Sequence, residues 1–588
     1  MKKALADIFG ARPCKMLVLA LSVTLPAYAQ SSDRLEEQRA AYDAVRAKAV
    51  LELQPFRDQV TAQIPQGEGA VTLTSLNPAV GAWFLLSLRS GGQGATVDYH
   101  IENGAPETQT VALESTPDPV LVLRRGDAVT RCQPWADGAK ALLAARDSGR
   151  PYAPICDGTI FLRNKVRGSR TNLEFAAEFL RENVWGGERI VRFVRDNFFK
   201  DSQLETSETL ATSGAGARSG GPYALLTDTP DDQRPVIGTL LDIALADMPA
   251  GRMRLGDWHP VSDLPGVFAS AFQPRAISSA VFDGPGKTNR LDGVEAKATG
   301  YMIAFDLARF DIGFGVGTDH PSLGWSPRPA AAARVRGLPG PDGIKTADPL
   351  VRLGMVNPLV ANRTIATFTA GFKRQHGAFR YGDMATFNMG HHYGFIEKGV
   401  ILSKLQPGLS TLFRLNDGTV GMKTWAEDDN ALLPQIRFAR QNGVPLLETD
   451  PETGLGVPGD RVTQWGGGNW SGSADAKLRT LRAGACMAER DGAQFLIYGY
   501  FSTATPSAMA RTFQAYGCSY AMLLDMNALE HTYLALYVPR GGQVHVAHLV
   551  PGMALVDKKL RDGTVVPRFI GYPDNRDLFY ITRKEALK

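Results

Sequence analysis

Apolar and polar positions change period several times along this chain, and the changes mark out its parts. Residues 31–62 are charged and rich in Ala and Leu, with apolar positions at helical spacing, which predicts a leading amphipathic helix. From Gly69 to about Arg125 the period drops to two, in short runs such as Trp83 to Leu88, Val97 to Ile101 and Val120 to Leu123, with Gly and Asn turns between them. That pattern predicts a small β-sandwich. Helical spacing returns over Ala139 to Arg146, Asn172 to Asn183 and Glu188 to Phe199. Residues 202–221 are mostly Ser, Thr, Gly and Ala, the composition of a linker or exposed loop. Beyond about Arg234 strand and helix signals mix to the end. The expected organisation is an N-terminal helix plus β-rich accessory module over 30–200, a linker over 201–234, and a larger α+β unit over 235–588.

Within that larger unit the clearest local pattern runs from Asp491 to Tyr537. Phe495 to Phe501 is an aromatic and β-branched run that predicts a strand. Thr505 offers an N-cap with Pro506 at the first helical position, and Gly517 is placed to end the helix. Ser519 to Leu524 is a second apolar run, broken at Asp525 and followed by Met526, Asn527, Glu530, His531 and Thr532. Strand, short helix and strand predict a parallel right-handed crossover, and ligands tend to sit beyond the carboxyl ends of such strands. The polar group after Leu524 is therefore a candidate site.

The first 29 residues have the form of a secretory signal: Lys2, Lys3, Arg12 and Lys15, an apolar core from Met16 to Pro26, and Ala27-Tyr28-Ala29 before Gln30. No other run approaches the length of a membrane span, so the mature chain is expected in a periplasm or outside the cell, with no transmembrane segment after cleavage. Cleavage removes those four basic residues and Asp7 from totals of 64 Lys plus Arg and 60 Asp plus Glu, leaving a net charge near +1. That balance argues against a nucleic-acid binder, which normally shows a clustered basic face. A chain of 588 residues exceeds one ordinary core. The four cysteines of the mature part, Cys132, Cys156, Cys486 and Cys518, are even in number in an oxidising compartment and imply two bridges; local pairing is the simplest of three connectivities.

Other motifs weaken on inspection. Gly284-Pro285-Gly286-Lys287-Thr288 lacks the glycine that a phosphate loop needs at position 281, which is Val281. The glycines of Gly313 to Gly317 do not meet dinucleotide spacing. His391-His392 and the pair His545, His548 have no carboxylate at zinc-enzyme spacing, and neighbours in a strand face opposite ways. Neither a metal nor a cofactor is expected.

Several ordered blocks between about residues 255 and 560 resemble the phosphodiester glycosidase family, the N-acetylglucosamine-1-phosphodiester alpha-N-acetylglucosaminidase-like domain. They are Ala304-Phe305-Asp306-Leu307 through Gly317-Thr318-Asp319-His320-Pro321; Phe368-Thr369-Ala370-Gly371-Phe372; Gly394-Phe395-Ile396-Glu397-Lys398-Gly399; Arg482-Ala483-Gly484 leading to Asp491-Gly492; and Leu524-Asp525. Met526-Asn527-Ala528 stands where the family has three glycines, and Thr369-Ala370 where it has Asn-Gly. Triple glycine permits unusual backbone angles and close ligand approach, so a different pocket shape after Asp525 is expected, with Asn527, Glu530 and His531 in place of backbone contacts.

The resemblance implies a mixed-sheet domain and cleavage of a sugar C1–O bond, through an oxocarbenium-like state that a carboxylate stabilises. A phosphomonoester leaving group needs little protonation, so cations on its oxygens matter more than a second acid. On this reading Asp525 is the carboxylate, Arg482 the phosphate clamp, and Glu530 and His531 further catalytic groups. Asn527, Lys373 and His376 bind substrate, and Trp465 and Trp470 offer faces on which a sugar ring can stack. The expected partner is a carbohydrate or sugar phosphate. The expected function is hydrolysis of a sugar-1-phosphodiester or related cell-envelope glycan, the alternative a non-catalytic glycan-binding or envelope and exopolysaccharide assembly protein on the same fold.

Overall fold

The computed structural model describes residues 49–65, 69–91, 94–115, 117–184, 187–194, 201–211, 220–321, 344, 346–373, 393–464 and 478–584. The signal segment, most of the leading helix, His376, Trp465 and Trp470 lie outside them.

Residues 58–62, assigned by periodicity to the end of the leading helix, belong to a strand instead. Asp58–Ile64 pairs antiparallel with Gly69–Ser75 along its whole length, and its Val60, Thr61 and Ile64 are β-branched residues that suit a strand. It edges a six-stranded sheet that also contains Trp83–Ser90, Thr96–Glu102, Ile160–Arg163 and Tyr152–Ile155. A three-stranded sheet, Gln109–Glu114, Val120–Arg125 and Ala128–Cys132, shares one apolar core with it, built of Leu73, Leu86, Ile101, Leu121, Leu123 and Leu142. Cys132 and Cys156 are bridged beside this core. The helix expected over 172–183 is present with those ends; Thr171 caps it, its hydroxyl accepting from the Glu174 amide at 3.1 Å.

The C-terminal unit is built on an eight-stranded sheet. Its centre runs Gly300–Asp306, Ala493–Ala504, Thr480–Arg490, Cys518–Met526. The strands before and after the Pro506–Ala515 helix are therefore parallel in direction but not neighbours, because Thr480–Arg490 pairs antiparallel with both. The predicted direct crossover is corrected accordingly. The helix forms for the expected local reasons: Thr505 accepts from the Ala508 amide at 3.2 Å, Pro506 leads, and Gly517 follows at φ 71°. Cys486 and Cys518 join two adjacent strands of this sheet.

Both faces of the large sheet are covered, which explains runs too apolar to alternate. On one face Phe501 meets Phe513 of the helix, ring centres 5.5 Å apart. On the other, Tyr498 meets Phe368 at 5.3 Å. Phe368 belongs to Thr364–Thr369, which lies in a five-stranded sheet beside Leu578–Arg583 and Leu534–Arg540. Part of the expected linker is packed too: buried Glu205 accepts hydrogen bonds from the Tyr301 hydroxyl and, at 3.0 Å, from the Leu240 amide.

Candidate active site

The carboxyl end of the Asp525 strand carries a bulge. Arg482 lies opposite Met526 and Gly484 opposite Leu523, so the Cys518–Met526 strand carries one extra residue there. Bulges beside sites re-aim side chains. Here Met526 turns to the helix-side core, while Asp525 reaches across to the segment before Leu578–Arg583. Asp525 is 4% exposed; one oxygen accepts from Arg576 Nη1 at 2.5 Å and the other from the Met526 amide at 2.8 Å.

Arg576 is the hinge of the site. Its Nη2 donates to Glu174 Oε1 at 2.9 Å and to His531 Nε2 at 2.7 Å. Because a guanidinium only donates, Nε2 must be the accepting nitrogen. His531 Nδ1 lies 2.8 Å from the Met526 carbonyl, so Nδ1 is the donating nitrogen in this arrangement. Glu174 Oε1 also lies 2.9 Å from Lys373 Nζ and accepts from Asn575 Nδ2 at 3.1 Å. Lys373 is 1% exposed and touches two further carboxylates, Glu178 and, at 2.8 Å, Asp319. Arg170 closes the outer side on Glu178 at 2.8 Å and Asp319 at 2.7 Å.

Charge decides the protonation states. Burial by itself pushes the Glu174 carboxyl up, but Arg576 and Lys373 outweigh it and hold the group well below the ordinary carboxylate range. Burial lowers the Lys373 ammonium, and Glu174, Asp319 and Glu178 more than restore it. Burial likewise raises Asp319, and Lys373 brings it below its usual value. Glu174, Asp319 and Lys373 are thus each held in the charged form.

The supporting layer is polar as well. Asn442 accepts from the Phe372 amide at 2.9 Å and donates to the carbonyls of Leu523, at 2.5 Å, and Leu524, at 2.6 Å, which ties the approach to Lys373 to the Asp525 strand. Gly371 (φ 146°) has to be glycine, since a Cβ there would meet Asn442 Oδ1 at 2.6 Å. Arg568 holds Asp574 through two bonds of 2.8 and 2.9 Å and the Glu530 carbonyl at 2.6 Å, fixing the loop that carries Arg576. Asp577 receives His320 Nδ1 at 2.5 Å and the Gly317 amide at 2.9 Å; Arg440 Nε lies 2.8 Å from its other oxygen, an ionic contact without hydrogen-bond alignment.

Arg482 does not face Asp525. It is fully buried on the helix side, donating to the carbonyls of Ala504 at 2.9 Å and Leu478 at 3.0 Å and to Met526 Sδ at 3.4 Å. The cations that do lie near Asp525 are Arg576, which it accepts from directly, and Lys373, joined to Arg576 through Glu174. Asp525, Lys373 and His531 do converge. Glu530 lies at the margin, accepting from Thr171 Oγ1 at 3.1 Å. Asn527 stands at φ 81°, an angle asparagine tolerates among non-glycine residues, so part of the backbone freedom lost with the glycines is retained. Its side chain accepts from Thr480 Oγ1 at 3.0 Å, and no contact joins it to the Glu174 cluster.

Sequence reasoning missed Arg576, Asn575 and Glu174. A usable signal existed for the first two: Asp574-Asn575-Arg576-Asp577 is a polar group abutting a buried strand, as at Asp525. Glu174 sits at the third position of a Thr171-x-x-Glu174 capping box, where its side chain ordinarily returns to the cap amide; here it points to Arg576 and Lys373. The Gly284 to Thr288 loop proves the opposite of an anion cradle. Its carbonyls hold a guanidinium, with Pro285 and Gly286 accepting from Arg511 at 3.0 and 2.8 Å.

No protein-family model and no curated protein matches the chain. Among solved structures it is similar to the zebrafish N-acetylglucosamine-1-phosphodiester alpha-N-acetylglucosaminidase catalytic domain auto-inhibited by pro-peptide, at 11% identity and TM-score 0.28, over 55% of this chain and 85% of that one. It is also similar to a hypothetical protein from Synechocystis at 11% identity and TM-score 0.24, over 85% of this chain and 97% of that one. Likenesses this weak transfer no activity. The two disulfides fit an oxidising compartment, and among the described residues no helix is long and apolar enough to cross a membrane.

Proposed function

We propose that this chain is an exported hydrolase of a sugar-1-phosphodiester or related cell-envelope glycan. Asp525 meets the anomeric carbon, and Lys373, Arg576 and Asn575 form the seat for the phosphate. The observation that carries the reading is a single atom: Glu174 Oε1 meets a lysine, an arginine and an amide nitrogen at 2.9, 2.9 and 3.1 Å. Two buried cations and an amide converging on one oxygen form a receptor of the phosphate type. Glu174 fills it as a phosphate oxygen would, so the 172–183 helix occupies the seat and must yield for substrate to enter.

The reaction breaks the bond between sugar C1 and its phosphate oxygen, and the electron pair departs with the phosphomonoester. Water supplies the new C1 hydroxyl. Asp525 stabilises the cationic ring as it forms, and the seat takes up the charge growing on the leaving phosphate. Arg576 serves both halves, with one nitrogen on Asp525 and the other on the seat.

One observation favours the binding or assembly alternative: both Asp525 oxygens are engaged inside the protein. Product analysis separates the two. The hydrolase releases free sugar and a phosphomonoester from a sugar-1-phosphodiester, and Asp525→Asn stops release while the thermal midpoint stays within a few degrees. Glycan retention without turnover, or equal release by both proteins, would overturn the hydrolase reading.

A further inference from the structure

A second charged cleft, small and open to solvent, lies where the N-terminal module meets the C-terminal unit. Arg363, Lys398, Arg414 and Arg437 line it, against two carboxylates, Glu107 and Asp311. Arg437 pairs with Glu107 at 2.6 Å and Arg414 with Asp311 at 2.9 Å. Lys398 makes no ion pair among the described residues; its amino group lies 3.4 Å from the Tyr580 hydroxyl. Arg414 Nε is buried without a hydrogen-bond partner. Lys398, Arg414 and Arg437, three cations from separate parts of the chain, thus share two carboxylates in a half-buried space.

The backbone adds an independent sign. Lys398 and Gly399 form the tight turn between Phe395–Glu397 and Val400–Ser403, at φ 52° and 77°. The first position of such a turn favours Asn, Asp or Gly. A lysine there holds its backbone in a sparsely populated region, and strain of this kind gathers at functional positions.

We propose that this cleft binds one tetrahedral oxyanion, a phosphate or sulfate group either free or esterified to a glycan, with Lys398 and Arg414 as the principal donors. The site is separate from the Asp525 cluster and does not depend on the hydrolase reading. An oxyanion supplies the negative charge that the cleft lacks, and a guanidinium fork and an ammonium suit its oxygens.

Calorimetric titration of the full chain with inorganic phosphate, inorganic sulfate and a sugar phosphate or sulfate ester, at matched chloride ionic strength, tests it. Lys398→Asn removes the charge and suits the turn, so its melting temperature in chloride should equal or exceed that of the wild type. Its affinity for phosphate or sulfate should fall at least tenfold. Arg414→Lys keeps the Asp311 pair without the fork and should weaken binding about threefold. Tighter binding of the ester than of the free ion identifies a glycan source, and the reverse a free anion. No saturable binding by the wild type, or affinities within twofold across all three proteins, would overturn the proposal.

Discussion

Glu174→Gln is the perturbation whose consequences the structure fixes most closely. The substitution keeps the side chain's shape and removes the charge shared by Lys373, Arg576 and Asn575. Breaking a buried ion pair costs about 3–5 kcal/mol when a charge is left uncompensated. Here each cation keeps another carboxylate, Lys373 with Asp319 and Glu178 and Arg576 with Asp525. The loss is then nearer that of one charged hydrogen bond, about 2–3 kcal/mol. If the helix yields locally, the open population rises roughly 30- to 140-fold at about 1.4 kcal/mol per decade, and hydrolysis rises with it where opening limits the rate. The pH dependence has a definite sign. The folded Glu174 carboxyl lies well below its ordinary value of 4.5, so its contribution is complete above that pH and is lost as pH falls beneath it. Urea unfolding at pH 7 and pH 3 should therefore show a gap between wild type and variant that narrows in acid. A variant equal to wild type in urea midpoint at pH 7 and in activity would refute the reasoning.

Glu397→Gln should act in the opposite sense. Burial raises the Glu397 carboxyl from 4.5 to about 7, against the pull of Arg163 and the Val316 amide. Its folded value lies above its unfolded one, so the stability it contributes is present below pH 4.5 and is lost as pH rises through 7, up to about 3 kcal/mol; the variant should unfold at higher urea than wild type at pH 8 and show a flatter profile. Arg482→Met should leave the Ala504 and Leu478 carbonyls buried without that donor, costing roughly 2–5 kcal/mol in thermal or urea unfolding. Its KM for a sugar-1-phosphodiester, measured below the lowered midpoint, should stay within about threefold, whereas a clamp role would raise KM far more.

Elements fixed by neighbouring residues were legible in the sequence. The 172–183 helix announces itself through Thr171 and its spacing, and the Pro506–Ala515 helix through Thr505, Pro506 and Gly517. Asp525 and His531 were legible as part of the polar group that follows the Ser519 to Leu524 run, and Lys373 only through the family resemblance. What local pattern cannot supply is which strands become neighbours. The insertion of Thr480–Arg490 between two strands joined by one helix, together with a one-residue bulge, sends Arg482 to the helix side. The guanidinium that reaches Asp525 comes from 51 residues further on, and its carboxylate partner Glu174 from 402 residues before it. Such pairings are chosen by sheet order and burial, which single-sequence periodicity does not encode. The Asp58–Ile64 strand shows the same limit, since its partner begins only at Gly69, past the stretch whose spacing reads as helical.

The central claim is that a carboxylate at the bulged end of a strand and a lysine–arginine–asparagine seat act together on a sugar-1-phosphodiester. Product analysis of wild type and Asp525→Asn on the same substrate, the variant leaving Arg576 its Glu174 partner, tests it most directly. Free sugar and phosphomonoester should appear with Asp525 present and vanish with Asn in its place. Sugar-1-phosphate as the product, or equal release by both proteins, would contradict it.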